Sequence, residues 1–220
     1  MFISIEGIEG SGKSTFSRGL CEGLKSAGID VLLTREPGGC SLGRKIRPML
    51  LETDSQVAPM AELHLFLADR AQHVAEVIRP AMAGGAWVLC DRYADSTVAY
   101  QGFGRGMDTD MLRSLSSCAA GGLEPEVTFL LDLPAEAGLG RARARNGAEG
   151  TAESEGRFEA EELSFHRRIR EGFLALAKAE PERFCVLDAG LSPAVIVEEA
   201  MDFLRKRGFA EVAAAIRNDI

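Results

Sequence analysis

The sequence predicts an α/β fold with three layers, in which helices cover both faces of a parallel β-sheet. Five short runs rich in Val, Ile, Leu and Phe alternate with long amphipathic stretches. Strands buried on both faces have nearly continuous apolar runs, and strand–helix alternation favours right-handed parallel crossovers. The chain has 220 residues without an internal repeat or a long linker, so we expect one domain over 1–220.

Strand-forming and helix-forming segments follow one another in a regular order. The predicted strands cover 2–6, 30–34, 86–90, 127–132 and 184–187. Helical periodicity predicts helices over 13–27, 42–51, 58–83, 108–120, 135–145, 160–179 and 193–207. Pro80 is expected to bend or end its helix. Phe209, Val212, Ala213 and Ile216 have helical spacing as well, which predicts a short C-terminal helix at about 208–218.

Composition excludes several classes of protein. The formal net charge is −8, which disfavours binding to a nucleic-acid backbone. No apolar segment reaches the roughly 18 residues that a membrane-spanning helix needs, so no membrane partner is expected. The five cysteines are scattered without a C-x-x-C pair, which favours reduced thiols over disulfides or a zinc site. These features predict a cytoplasmic protein.

A phosphate-binding pattern follows the first predicted strand and precedes a predicted helix. Residues 7–14 match G-x-x-x-x-G-K-[ST], in which glycines let backbone N–H groups face phosphate oxygens at a helix N-terminus. Lys13 is expected at the β- and γ-phosphates and Ser14 at Mg²⁺, whereas a merely structural turn would need neither. The predicted ATP-binding residues are Gly7, Glu9, Gly10, Ser11, Gly12, Lys13, Ser14 and Thr15.

Charged residues follow two further predicted strands, at the edge where open α/β sheets bind ligands. Arg35 comes after the second strand, and Asp91 and Arg92 come after the third. An Asp there can hold Mg²⁺ and an Arg can bind a phosphate, while a surface ion pair is the alternative. Glu9 is either a solvated loop residue or a group that faces a second substrate, and the loop alone favours neither.

Two other segments are candidates for the site. Phe66 and Arg70 are four residues apart and share a helix face, which suits stacking on a base and donation to its carbonyl. From periodicity alone, Phe66 is predicted to be a core residue. The segment 146–156 is small, polar and glycine-rich with arginines on both sides, which predicts a surface loop or a mobile charged lid at about 143–159.

Taken together, these segments resemble the thymidylate kinases over nearly all of the chain up to about residue 207. The matching stretches are Glu6–Thr15, Thr34–Gly39, Phe66 with Arg70, Asp91–Gly102, Arg157–Glu159 and Phe165–Gly172. The resemblance implies a P-loop NTPase fold with a five-stranded parallel sheet and a small mobile lid. It also implies transfer of the γ-phosphoryl group of MgATP to dTMP, giving dTDP and ADP, in a homodimer.

The resemblance assigns roles by position. Phe66 stacks on thymine, Arg70, Thr97 and Gln101 meet the base edges, and Tyr100 lies near the ribose 2′ position. The implied acceptor residues are Glu9, Arg35, Glu36, Pro37, Phe66, Arg70, Arg92, Ser96, Thr97, Tyr100 and Gln101. The implied metal ligands are Ser14, Asp91, Glu9 and Glu159.

The implied catalytic residues include arginines of the lid. Some members of the family carry an arginine in the phosphate loop, but Gly10 and Ser11 stand there in this chain. The catalytic set is therefore Lys13, Arg92, Arg143, Arg145 and Arg157. One departure concerns the lid, because Gly156 precedes Arg-Phe-Glu where the family often has Asp.

Two alternatives to phosphorylation of dTMP follow from the motifs. One is a kinase for another nucleoside monophosphate, which would use the same phosphate loop. The other is a regulatory P-loop switch, but a GTPase would carry Asn-Lys-x-Asp, and neither Asn146 nor Asn218 begins such a motif.

Overall fold

The protein is described here by a computed structural model, and the structure describes residues 1–209. Its strands are β1 (Phe2–Glu6), β2 (Val31–Arg35), β3 (Trp87–Asp91), β4 (Val127–Asp132) and β5 (Phe184–Asp188). All five lie in one parallel sheet in the order β2-β3-β1-β4-β5. The predicted α/β class and its five-stranded parallel sheet are confirmed.

Each strand is followed by one or more helices. They are α1 (Lys13–Ser26), α2 (Ser41–Leu51), α3 (Pro59–His73), α4 (Arg79–Ala83), α5 (Ala94–Thr97), α6 (Thr109–Ala119), α7 (Ala135–Glu149), α8 (Ala152–Glu155), α9 (Leu163–Ala179) and α10 (Pro193–Lys206). A π-helical segment joins α3 to α4 at Val74–Ile78, and another continues α5 at Val98–Gly104. Within the described residues, no helix is long and apolar enough to cross a membrane.

Side chains of the central strand alternate between two apolar cores. Ile3 and Ile5 join the larger core, which includes side chains of α1, α9 and α10. Phe2 joins the smaller core with Val74 and Val88. This alternation follows from the period of two in a β-strand, and it explains why β1 is buried along its whole length.

Two segments differ from the sequence-based prediction. The segment 146–156 was predicted as a surface loop or a mobile charged lid without regular structure, but α7 continues to Glu149 and α8 follows after a short break. Gly150 ends α7 with a φ of 68°, a left-handed conformation that glycine adopts without strain. Residues 94–104 were not predicted as helical, because they are mostly buried and show no amphipathic period.

The long helical prediction over 58–83 corresponds to α3, a π-helical segment and α4 in succession. Pro80 lies near the start of α4, where its missing N–H interrupts the hydrogen bonding of the preceding turn. The predicted C-terminal helix at about 208–218 lies almost wholly outside the described residues. Of its apolar positions, Phe209 is described, and its ring packs 5.9 Å from that of Trp87.

Candidate active site

The phosphate-binding loop joins β1 to α1 and surrounds the ammonium group of Lys13. Gly12 precedes α1 and has a φ of 91°. A residue with a side chain would be strained in this backbone conformation. Lys13 Nζ donates to the carbonyl oxygens of Gly7 at 2.9 Å and Ile8 at 2.8 Å. Burial lowers the pKa of Lys13 to about 8. A phosphate beside this lysine would favour its charged form.

Ser14 and Asp91 form the part of the site that suits a divalent cation. Ser14, in the first turn of α1, donates from Oγ to Asp91 Oδ2 over 3.2 Å. Asp91 Oδ1 is buried and receives no hydrogen bond from a described residue. A hydroxyl oxygen beside a carboxylate oxygen that receives no hydrogen bond provides the oxygen ligands that Mg²⁺ prefers. These two residues therefore fit the metal that the sequence implied.

Glu9, another implied metal ligand, is held by three side chains at the wall of the site. Its Oε1 accepts from Arg92 Nη2 at 3.1 Å and from the Tyr100 hydroxyl. His166 Nδ1 lies 3.4 Å from Oε2. Burial opposes ionisation, but His166, Arg92 and Lys13 outweigh it and hold the pKa of Glu9 well below its ordinary value. Glu9 is thus a fixed, ionised group rather than a solvated loop residue.

Arg92 connects the phosphate loop to the acceptor side. Its backbone has a φ of 69°, a left-handed conformation that is costly for a residue with a side chain. Nη1 donates to Gly7 O at 3.1 Å and to Ser96 Oγ at 3.3 Å, and the guanidinium lies 4.9 Å from the centre of the Tyr100 ring. The unusual backbone conformation aims this guanidinium between the loop and α5.

Arg70 is almost completely buried in the floor of the site, with 2% of its surface exposed. It donates to Glu36 Oε2 at 2.9 Å, Thr97 Oγ1 at 3.1 Å, Ser116 Oγ at 3.2 Å and the Tyr93 carbonyl at 3.0 Å. A guanidinium has five N–H donors, so these four bonds leave one for a ligand. The surrounding protein therefore fixes the direction of that donor.

Phe66 is half-buried and serves two purposes. One part of the ring packs against the larger core, as its periodicity predicted, and another part lines the site. Its centroid lies 6.5 Å from that of Phe158. The ring is thereby presented as a flat apolar surface at the level of Arg70, one helical turn further along α3.

The lid arginines point in different directions, because residues two apart on α7 lie on different faces of the helix and Arg157 lies beyond its end. Arg141, Arg145 and Glu149 are four residues apart along α7 and line the site together. Arg143 lies on another face and donates to the Glu159 carbonyl. Arg157 is turned away from the site: it donates to the Leu50 carbonyl at 3.0 Å and pairs with Glu62. The catalytic roles of Arg143, Arg145 and Arg157 stay predictions.

Glu159 lies at the end of the lid, where it was implied as a metal ligand. Its Oε1 is 3.4 Å from Arg145 Nη2 and 3.3 Å from Asn146 Nδ2. Burial, and then the charge of Glu9, raise the pKa of Glu159 above its ordinary value. A cation between the two carboxylates would remove this repulsion.

These elements enclose a cavity of about 650 Å³ at the carboxyl ends of the strands. The predicted residues that line it are Glu9, Gly10, Gly12, Lys13, Ser14, Thr15, Arg35, Glu36, Pro37, Phe66, Arg70, Asp91, Arg92, Ser96, Thr97, Tyr100, Gln101, Arg145 and Glu159. Gly7, Ser11, Arg143 and Arg157 do not line this cavity. The volume suits a small organic ligand.

Several lining residues were missed by the sequence reasoning. They are Arg18, Arg47, Leu51, Tyr93, Arg141, Glu149 and Phe158. Arg18 stands four residues after Ser14 on α1, so helical spacing alone carried the signal for it. No comparable local signal existed for Arg47, whose Nη1 donates to the Pro37 carbonyl across the gap between two segments.

The phosphate-binding loop faces a second pocket, lined by aromatic residues and arginines, across one cavity. This arrangement defines a P-loop kinase of the nucleoside monophosphate class. The model of the thymidylate kinase family matches residues 5–200. The chain belongs to the thymidylate kinase family. Membership in this family makes the chain an ATP-dependent nucleoside monophosphate kinase. It does not favour the two alternatives, a kinase for another nucleoside monophosphate and a regulatory P-loop switch.

Individual relatives show the same likeness. The thymidylate kinase of Solidesulfovibrio magneticus is 58% identical over 199 residues, which cover 90% of this chain and 95% of that protein. That of Desulfovibrio desulfuricans is 54% identical over 213 residues, covering 94% and 98% respectively. The crystal structure of thymidylate kinase from Ehrlichia chaffeensis shares a TM-score of 0.73 and 32% identity, over 93% of this chain and 98% of that one.

Proposed function

We propose that this chain transfers the γ-phosphoryl group of ATP to dTMP, giving ADP and dTDP, with Mg²⁺ as its cofactor. The observation that carries this proposal is a single cavity that joins two halves. One half contains the phosphate loop with Lys13, and the other contains Phe66 and Arg70. Donor and acceptor phosphates can therefore meet without leaving the protein.

On the donor side, the backbone N–H groups of the phosphate loop and Lys13 bind the phosphates of ATP. Ser14 and Asp91 would hold Mg²⁺, which when bound neutralises charge on the donor phosphates. Arg141 and Arg145 face the same space from α7. These cations are placed to stabilise the charge that develops on the transferring group.

On the acceptor side, Arg35 and Arg92 bind the phosphate of dTMP and Phe66 stacks on thymine. The remaining N–H donor of Arg70 is directed at a carbonyl oxygen of the base. Tyr100, whose hydroxyl is bound to Glu9, fills the space beside the ribose 2′ carbon and favours a deoxy sugar. Glu9 is placed to accept a hydrogen bond from the 3′-hydroxyl.

The chemistry needs alignment more than proton transfer. A phosphomonoester loses its second proton with a pKa of about 6, so the attacking oxygen is already ionised at neutral pH. The protein therefore has to bring the two phosphates into line and exclude water, which the lid does when it closes. No residue of the site has to act as a general base.

A coupled assay of ADP release tests the proposal. With MgATP present, dTMP should support much faster turnover than dUMP, dCMP or AMP, and little ADP should form without an acceptor. A preference for dCMP or AMP would overturn the acceptor assignment while keeping the kinase. Hydrolysis of ATP that ignores every acceptor would overturn the kinase itself.

The family resemblance also supports a homodimer and a cytoplasmic location for this chain. Light scattering of the purified protein at several concentrations measures the first. Fractionation of cells that express the chain measures the second. A monomer at all concentrations, or recovery outside the cytoplasm, would contradict the respective proposal.

A further inference from the structure

Glu62 is a buried carboxylate for which the phosphoryl transfer described above has no use. It lies on α3 one turn before Phe66, and its surface is 0% exposed. Two donors reach Oε1: Gln101 Nε2 at 2.8 Å and Arg105 Nε at 2.6 Å. Two more reach Oε2: Arg105 Nη2 at 3.0 Å and Arg157 Nη2 at 2.7 Å. Both carboxylate oxygens are therefore fully satisfied.

The surroundings keep Glu62 ionised. Burial opposes the charge, but Arg105 and Gln101 outweigh burial and lower the pKa of Glu62 below its ordinary value. Arg105 also pairs with Glu161, at 3.0 Å, so that the two arginines and two glutamates form a neutral group. Loss of one charge from such a buried group is costly. Glu62 consequently acts only as a hydrogen-bond acceptor.

Because Glu62 can only accept hydrogen bonds, it determines the orientation of the side-chain amide of Gln101. The atom of Gln101 that lies 2.8 Å from Glu62 must be the NH₂ nitrogen, because two oxygens would repel each other. Gln101 lines the cavity, whereas Glu62 lies behind it. Within residues 1–209, no hydrogen bond is donated to Gln101 Oε1. The group that Gln101 has left for a ligand is its carbonyl oxygen.

We infer that Glu62 is a positioning residue that fixes the Gln101 amide so that it offers an acceptor to the base of the nucleotide. This inference rests on the proposed acceptor site. Thymine carries a hydrogen on N3 that an acceptor can bind. Cytosine carries a lone pair on N3, which would face the carbonyl oxygen of Gln101 without a hydrogen between them. Glu62 would thus help to exclude cytosine nucleotides without touching them.

The Glu62→Gln variant tests this inference. A glutamine at position 62 can donate as well as accept, so the Gln101 amide is free to turn and offer its NH₂ group instead. We expect the ratio of kcat/KM for dTMP to that for dCMP to fall about tenfold, the effect of one buried hydrogen bond. The change should lie mainly in KM for the two acceptors, with KM for ATP unaltered.

Two further variants separate positioning from general damage. Glu161→Gln removes the other carboxylate that pairs with Arg105 but leaves Glu62 in place, so the acceptor ratio should not change. Gln101→Met removes the amide at nearly the same volume. In that background, Glu62→Gln should have no further effect on the ratio, because the two residues act through one interaction.

Thermal unfolding establishes that each variant is folded. If Glu62→Gln does not fold, Gln101→Asn replaces it, since the shorter side chain draws the amide away from an intact Glu62 and should lower the ratio in the same way. The role of Glu62 would be overturned if Gln101→Met lowers the ratio of kcat/KM for dTMP to that for dCMP but Glu62→Gln, or its replacement Gln101→Asn, leaves this ratio constant. The role of Gln101 would then still stand. If Gln101→Met leaves KM for dTMP and the ratio unchanged, the acceptor-site assignment of Gln101 fails as well.

Discussion

Ser14 and Asp91 are joined by a hydrogen bond of 3.2 Å although they stand 77 residues apart in the chain. Ser14 lies in the first turn of α1, which follows β1, and Asp91 ends β3, which pairs directly with β1. Parallel pairing brings the carboxyl ends of both strands to the same edge of the sheet. The position of the proposed metal site is therefore a consequence of sheet topology.

The first prediction concerns this pair. Ser14→Ala removes the hydroxyl ligand, so we expect the Mg²⁺ concentration for half-maximal activity to rise at least about tenfold. Ser14→Thr keeps the hydroxyl and should restore the dependence of the parent. Titration of Mg²⁺ at constant ATP measures both. An unchanged Mg²⁺ requirement in Ser14→Ala would contradict the site.

The second prediction concerns the direction of the lid arginines. Arg145→Ala should lower kcat by about a hundredfold or more, because an arginine that stabilises transferring phosphate contributes on that scale. Arg143→Ala should have a smaller effect on kcat, since Arg143 is bound to the Glu159 backbone outside the cavity. Single-turnover kinetics separates phosphoryl transfer from product release. A larger loss in Arg143→Ala would show that the lid rotates on closing.

The strands could be predicted from the sequence more accurately than the helices of the lid. The strands could be predicted within one or two residues, because burial on both faces leaves a continuous apolar run such as Phe2–Glu6. The length of α7 could not be predicted, since glycines and polar residues obscure its period. The predicted helix over 135–145 already placed Arg141 and Arg145 four residues apart, but the predicted lid began at about 143, and Arg143 was chosen as a candidate instead of Arg141.

The sequence predicted those residues of the candidate site that belong to local motifs, but not those whose roles depend on tertiary contacts. Motif residues such as Lys13 follow strand ends, and strand ends define the ligand edge of the sheet. Glu62 lies outside every stretch that carried the resemblance, and His166 lies within the stretch Phe165–Gly172 but was given no role. The roles of both depend on partners that are distant in the sequence. Such contacts arise from tertiary packing, which spacing in one segment does not encode.

The third prediction is a pH dependence of stability that arises from Glu6. Burial, and then the neighbouring charge of Asp95, raise the pKa of Glu6 from 4.5 to about 7. Between pH 4.5 and about pH 7, Glu6 is protonated in the folded protein and ionised in the unfolded chain. The contribution of Glu6 to the free energy of unfolding therefore falls as the pH rises through this range. Above about pH 7 the ionised group costs up to about 3 kcal/mol.

Glu6→Gln should remove this cost. Its amide can still accept from the Tyr93 N–H and can donate to Ser96, the two groups that Glu6 contacts. The variant should gain stability relative to the parent as pH rises from about 4.5 to 7, measured by urea unfolding at several pH values. Glu22→Gln, at an exposed carboxylate of α1, serves as the control. A difference between Glu6→Gln and the parent that does not vary with pH would contradict the raised pKa.

The fourth prediction concerns Gly156, where the family often has Asp. A Cβ placed on Gly156 would lie 2.1 Å from the carbonyl oxygen of Ala152 and 3.3 Å from Thr53. Within the segment 146–156, residues 152–155 therefore form α8 in the space that a side chain at position 156 would occupy. Thr53 N–H also donates to the Glu153 carbonyl at 3.0 Å, which ties α8 to the end of α2.

Gly156→Asp should consequently displace α8 from α2, at a cost of about 1–3 kcal/mol that falls on the lid rather than on the whole domain. Hydrogen exchange should become faster at the amide of Thr53 and through 151–157, with the sheet unaffected. Gly147→Asp is the matched control, because nothing lies within 4 Å of a Cβ placed there. Equal exchange in both variants would show that α8 does not depend on the glycine, and that the departure from the family pattern has another origin.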